Sequence, residues 1–372
     1  MGASEPTRSL GLPKLAMAAL VLGAIALSFG LFQELSPVLA PTFLAVNLLI
    51  AAYPVYTWLV DRRVPAALAS LATGLAVLLL FVASLTAIVW SGTAMVQSLT
   101  SYGPQFTKLY FQFIDWLASL GFDQATLLNQ LKSISPTSVI GLVGNVVSEI
   151  SSATGLVLVV LIAMVFMVLD LPSVARRFAV TDRLHPEFTD ALEALTHGIR
   201  RYWLVTTVFG IIVALADGVV LIAVGVPLPL VWVILSFVTN YIPNIGFIIG
   251  LLPPALLALF EKGPWAALVV VVAYSVINFV IQSIIQPKIT GDAVGISPVV
   301  SFLSLLLWTA AFGALGALLA IPLTLTVKAL LIDNDPRARW VGTFLASNPD
   351  TVDTSDCDGP GDPDCCRPIP RG

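Results

Sequence analysis

Asp, Glu, Lys and Arg are absent from residues 15–33, 35–60, 64–107, 150–169, 218–260, 263–287 and 293–327, and these runs are dense in Leu, Val, Ile, Ala and Phe. Uncharged apolar runs of about 18 or more residues read as membrane spans, because about 20 residues of helix cross a hydrocarbon core of about 30 Å. The pattern predicts a first span over roughly 14–33, a turn at Glu34-Leu-Ser-Pro37, and a second span over about 39–59 that ends at Asp61-Arg62-Arg63. Pro65 opens a third span, about 66–95, long enough to project beyond the hydrocarbon. A fourth runs over about 152–169, a fifth over about 202–226 and a sixth over about 264–286. Between 97 and 150 the pattern changes. Tyr102, Phe106, Leu109, Phe113, Trp116 and Leu120 recur at three and four, the spacing of one face of an amphipathic helix. That face is expected to pack on neighbouring spans or on another subunit. The bilayer interface is the alternative, although interfacial helices are usually rich in Lys and Arg and this one is not.

Two further apolar stretches, about 228–260 and 297–331, are interrupted half-way, and they share a layout. Overlaid at an offset of 69 residues (Pro229 on Pro298, Pro253 on Pro322), Asn244 falls on Gly313. Both middles are polar or Gly-rich: Thr239-Asn-Tyr-Ile-Pro-Asn-Ile-Gly246 in one and Thr309-Ala-Ala-Phe-Gly-Ala-Leu-Gly316 in the other. Each arm of about 15 residues rises about 22 Å, short of the hydrocarbon thickness. Folding back as a re-entrant hairpin fits that length better than crossing, and one intervening span would make the two hairpins an inverted pair. The fold expected is an all-α polytopic integral membrane protein with about six full spans plus two inverted re-entrant helical hairpins; eight full spans is the alternative. Paired interrupted segments are the pattern that marks a transporter's binding region.

Composition agrees. The chain is 58% hydrophobic and 11% charged, with a mean hydropathy of +0.95, whereas soluble domains carry about 25% charged residues. Charge placement sets the topology, since Lys and Arg near spans favour the cytoplasm. Arg8 and Lys14, then Arg62 and Arg63, then Arg176, Arg177, Arg183, Arg200 and Arg201 fall on one side if two crossings separate each group. The chain then divides into a cytoplasmic leader (1–13), spans one to three (14–96), an external amphipathic segment (97–150), span four (151–172) and a cytoplasmic charged loop (173–201). A candidate transport unit (202–332) and a disordered, acidic cytoplasmic tail (333–372) follow. The tail holds Cys357, Cys365 and Cys366, interleaved with Asp, Gly and Pro, and cannot bury enough apolar surface to fold. The net charge of −4 arises mostly in loops and tail, and nucleic acid is not an expected partner.

Chemistry-bearing residues are few. Asp217 lies inside span five, where a carboxylate costs about 2.5–3.5 kcal/mol on insertion scales and should face protein or water. It is a candidate proton or cation site, or else a helix-packing residue. Asn240 and Asn244 flank Pro243, which removes a backbone donor and frees carbonyls for an ion or a hydroxylated solute. Gly246, Gly313 and Gly316 lie at the two interruptions, with Gly250 close by, and serve either the path or close helix approach. Asn278, Gln282 and Gln286, at i, i+4 and i+8, form a polar stripe on the intervening span, either along a translocation path or as glue between helices. No phosphate-binding loop and no His-Glu-x-x-His occur, and the two histidines, His185 and His197, are both in the charged loop. The chain is therefore expected not to be an enzyme, to hold no metal and to need no cofactor. Transport would be secondary or passive. Its cargo would be a small polar solute, with a monovalent cation or proton as the alternative.

Asn240-Tyr-Ile-Pro-Asn-Ile-Gly246, Leu252-Pro-Pro254 and Gln286-Pro-Lys-Ile-Thr-Gly291 resemble the autoinducer-2 exporter (AI-2E) family of PerM-like permeases. Ser297-Pro298, Leu305, Phe312-Gly-Ala-Leu-Gly316 and Ala320-Ile-Pro-Leu323 extend the match, which covers roughly 10–332. The resemblance implies a multi-span inner-membrane homo-oligomer, with five subunits as the family's number, that moves small solutes across the lipid bilayer. Some members of the family are associated with autoinducer-2 export and others with sodium or lithium/proton antiport, so the resemblance leaves the cargo open. The long third span and the acidic tail have no counterpart in it.

Overall fold

Long uncharged runs fold as long helices. The structure, a computed structural model, describes residues 14–119, 141, 154–243, 245–286, 295–333 and 340–345. In chain order the helices are α1 (Lys14–Asp61), α2 (Ala66–Ser101), α3 (Gly103–Ser119), α4 (Thr154–Leu184), α5 (Pro186–Val224) and α6 (Pro229–Thr239). They continue as α7 (Gly246–Lys262), α8 (Pro264–Asn278), α9 (Pro298–Leu318), α10 (Ala320–Lys328) and α11 (Trp340–Leu345). Two π-helical segments, Phe279–Ile285 and Ala329–Asp333, extend α8 and α10. No strand occurs among the described residues. Six helical stretches there are long and apolar enough to cross a membrane: Phe29–Asp61, Ala66–Ser98, Gly155–Leu184, Pro186–Val224, Pro264–Ile285 and Pro298–Leu318. The protein is an all-α polytopic membrane protein, as its charge pattern predicts.

The turn expected at Glu34–Pro37 is absent. Helix α1 runs through it for 48 residues, with Pro37, Pro41 and Pro54 inside. The count of two crossings before Arg62 rested on that turn. A proline in a helix interior removes one hydrogen bond to the carbonyl four residues back, and a neighbouring helix can restore it. Pro54 shows how. The carbonyl it leaves unserved is that of Ile50, and Arg200 Nε of α5 donates to it at 3.1 Å while its guanidinium lies 5.0 Å from the Tyr53 ring centroid.

The charged stretch expected as a loop over 173–201 is helical on both sides of His185, with Pro186 opening α5. Helix α3 covers the start of the expected amphipathic segment, whose continuation lies outside the described residues apart from Gly141. A short helix, α11, stands inside the tail expected to be disordered: Trp340, Val341, Phe344 and Leu345 give it apolar content, and the Ser297 amide donates to the Leu345 carbonyl at 2.8 Å. The three cysteines lie outside the described residues.

Both interrupted stretches double back. A Cβ added to Gly246 would sit 1.8 Å from the Thr239 carbonyl oxygen, and one on Gly250 would sit 3.4 Å from Ser236 Cα. Residues 236 and 250 would be about 21 Å apart along a straight helix, so α7 folds against α6. Helix α9 breaks at Gly313 (φ 62°, ψ −141°), and a Cβ on Gly316 would lie 1.8 Å from the Trp308 carbonyl oxygen. Beyond it Thr324 returns to within 2.7 Å of the Ser304 hydroxyl. The offset of 69 puts Thr239 on Trp308, and each bears the carbonyl that a glycine abuts after the reversal.

Apolar clusters seat these two stretches. Ala40, Leu44 and Leu49 of α1, Val77 of α2, and Val160 and Met164 of α4 close around Phe312, Leu319 and Leu323. Leu221 of α5, Val231 and Trp232 of α6, Leu257 and Ala258 of α7, and Val270 and Tyr274 of α8 form a second cluster. At the far end of α7 the Tyr102 hydroxyl donates to the Glu261 carboxylate, which with desolvation holds that phenol above its ordinary pKa.

Candidate functional site

Helix α5 carries the site because small residues on its buried face let α6 come close. A Cβ on Gly210 would meet Asn240 Nδ2 at 2.8 Å, and one on Gly218 would meet Val233 Cγ2 at 2.5 Å. Asp217 sits between these two contacts and is 2% exposed. Its Oδ2 accepts the Ser236 hydroxyl at 2.6 Å. Its Oδ1 is buried without a partner, and so is the hydroxyl of Tyr274 on α8. Both residues line one small pocket, together with Ser236, Thr239, Asn240 and Asn278, and with Val213 and Phe247 as apolar walls. Its volume of about 10 Å³ admits one water-sized group and no organic solute. An unpaired carboxylate oxygen costs free energy in such a place, and the surrounding oxygens suit a proton or a small cation.

The residues that line this pocket come from four helices of a chain matched over residues 15–333 by the family model described as AI-2E family transporter. The chain belongs to the AI-2E transporter family. It is 29% identical over 317 residues to the AI-2 transport protein TqsA of Escherichia coli K12, covering 84% of this chain and 90% of that protein. It is 26% identical over 319 residues to a Haemophilus influenzae protein (82% and 88%) and 27% identical over 295 residues to YhhT of Escherichia coli K12 (78% and 83%). Family and relatives are named as transport proteins, not enzymes. The expected resemblance and the expected absence of an enzyme role stand together on these matches.

The AI-2E chain gathers some of its sequence-predicted residues and separates others. Asp217, Asn240 and Asn278 meet at the pocket. Gln282 is one bond away, its Nε2 donating to Asn240 Oδ1 at 2.6 Å, while Asn240 Nδ2 donates to the Thr206 carbonyl at 3.2 Å. That amide is thus engaged in fixing the turn to α5 and to the π segment. Gly246 makes the reversal, next to the pocket wall Phe247. Gln286 is half-buried where the π segment ends and does not line the pocket; it lies eight residues beyond Asn278, about 12 Å along a helix. Asn244 lies outside the described residues.

Pro243 frees carbonyls, but they are taken up locally. The Thr239 carbonyl accepts the Ile242 amide at 2.9 Å, and the Tyr241 carbonyl accepts the Tyr202 hydroxyl at 3.3 Å. Gly313 and Gly316 belong to the other reversal, where Gln33 Nε2 of α1 donates to the Ala310 carbonyl at 2.9 Å. The two reversals touch through Ile242, which packs on Leu305, Ala317 and Ala320. Sequence reasoning missed Ser236, Thr239 and Tyr274. Tyr274 precedes Asn278 by four, so extending the 278–282 stripe one turn back would have found it.

Proposed function

We propose that this AI-2E transporter works by secondary transport, and that the Asp217 pocket binds a proton or a monovalent cation such as sodium or lithium in alternation. The observation that carries this reading is the pair of buried, unpartnered oxygens, Asp217 Oδ1 and Tyr274 Oη, on one pocket of water size. A single carboxylate there holds either a proton or one cation, which is the exclusivity that exchange requires.

The two doubled-back stretches act in this reading as re-entrant hairpins that enter from opposite sides. Contacts along α5 support it. The first stretch abuts α5 from Gly225, near the Lys262 side chain, to Thr206; the second meets it at Gly198, against Leu325. Arg62, Arg63 and the arginines of 173–201 face the cytoplasm, as does the tail, and the membrane is the bacterial inner membrane. The continuity of α1 removes the parity argument that placed the amino terminus inside. A homo-oligomer, five subunits by family resemblance, completes the proposal.

Proteoliposomes carrying an internal pH dye test the exchange. A sodium or lithium gradient should drive proton movement in the wild type and not in Asp217→Asn, while Asp170→Asn, at an exposed ion pair with Arg177, should leave it intact. Full exchange in Asp217→Asn would overturn the assignment. The name of TqsA favours a second reading, export of a small polar signal. Saturable counterflow of such a solute, with no cation-driven pH change in the wild type, would establish that reading in place of the first, while discrete single-channel currents would point to a passive pore.

A further inference from the structure

The turn between α1 and α2 departs from the usual chemistry of helix ends. The Val64 amide donates to the Leu59 carbonyl at 3.2 Å and the Arg63 amide to the Val60 carbonyl at 2.9 Å. This is the Schellman pattern, with Leu59 and Val64 in the same apolar cluster as Leu171 and Val174 of α4. Its left-handed position, normally Gly or Asn, is Arg63 at φ 68°. Only one other residue among those described, Leu228, has a positive φ without being glycine. The negative end of the α1 dipole accounts for a cation at Arg62. It does not account for an arginine in the strained position, which points to a use for that side chain.

The surroundings indicate the use. Arg62 lies 4.0 Å above the Trp58 ring, and Trp58 is half-exposed. Both arginines are exposed, and among the described residues neither is paired with a carboxylate, although Asp61 precedes them in the chain. The turn caps a stretch, Phe29–Asp61, long and apolar enough to span the bilayer, so these groups stand where headgroups lie, with tryptophan at its customary depth. Two guanidiniums offer a fork of donors suited to phosphate oxygens. We infer that the Trp58–Arg62–Arg63 turn is a binding site for the phosphodiester headgroup of an anionic phospholipid, with both guanidiniums as donors and the Trp58 ring as platform.

Native mass spectrometry of the full-length protein, titrated with phosphatidylglycerol or phosphatidylcholine of matched acyl chains, tests this. Phosphatidylglycerol should bind about tenfold more tightly or better, since each basic residue near a surface contributes measurably to anionic lipid binding. The double variant R62Q/R63Q should lose that preference, and R183Q, at an exposed arginine near the end of α4, should keep it. R63G separates folding from binding: relief of the left-handed strain should raise Tm while the preference for phosphatidylglycerol falls. An unchanged preference in R63G, or an equal loss in R183Q, would overturn the assignment. Displacement of bound lipid by millimolar inorganic phosphate alone would do so too, by identifying a free-phosphate site.

Discussion

Ser236 holds one oxygen of Asp217 and leaves the other to the pocket, which it shares with the free hydroxyl of Tyr274. A hydroxyl oxygen turned to a bound cation makes a charge–dipole contact comparable with a hydrogen bond to a charged group, about 1.5–3 kcal/mol. Tyr274→Phe, which keeps the ring and its packing, should therefore raise the half-saturating cation concentration about tenfold or more in the liposome assay, with protein stability unchanged. An unaltered half-saturation would remove Tyr274 from the site. The glycines divide differently. Gly246→Ala drives a methyl into the Thr239 backbone oxygen, whereas Gly313→Ala meets nothing within 4 Å and has only its φ of 62° to oppose it. Strain of the second kind costs about 1–3 kcal/mol, and a clash with backbone adds displacement of the whole reversal. Thermal melts in detergent should rank Gly246→Ala below Gly313→Ala, with both below wild type. Asp217 was legible from sequence because a carboxylate in an apolar run is conspicuous. Ser236 was not, since a hydroxyl in a helix usually bonds its own backbone and nothing local announces a partner nineteen residues away.

At the scale of elements, proline was the signal read least well. Pro37 looked like a turn and is helix, while Pro243 does sit at a reversal. The residue itself removes a donor in both cases, and at Pro243 the Ile242 amide serves the freed Thr239 carbonyl locally. For Pro54 the supplier is Arg200, 150 positions along the chain, which no local pattern contains. The broken stretches were legible because glycine and polar residues replaced apolar ones at matched positions. Their reversal follows from the closeness that Gly246 and Gly316 permit. The pairing of Pro54 with Arg200 makes a testable cycle. Arg200→Ala should destabilise by about 1 kcal/mol, the low end of the penalty for a stranded acceptor, because the Ile50 carbonyl is only partly buried. In a Pro54→Ala background the alanine amide can serve the Ile50 carbonyl instead, so Arg200→Ala should cost less there. Strict additivity of the two substitutions in chemical denaturation or thermal melts would show that the arginine acts through Tyr53 or its stem instead.

For the whole molecule the decisive question is on which side each reversal begins. Helix α5 is the common ruler, because both stretches lie along it. Gly225 and Lys262 mark one end of the first stretch, and Thr206 and Thr207, bonded to Asn240 and the Tyr241 hydroxyl, mark its turn. Gly198 and Leu325 mark the base of the second, beyond the first one's turn. From residue 206 to residue 225 the helix rises about 28 Å, close to a full hydrocarbon core. The base of the first stretch and the base of the second therefore lie at opposite ends of one span's length, and in the proposed topology, with Arg200 and Arg201 inside, the second base is the cytoplasmic one. Lys262→Cys should then react with an impermeant maleimide added outside intact cells. Lys288→Cys, which lies outside the described residues, should react only when the inner face is opened. Two bent full crossings would reverse both results. The labelling pattern therefore decides between hairpins and crossings, and with it the side from which the reversal bordering the Asp217 pocket enters the membrane.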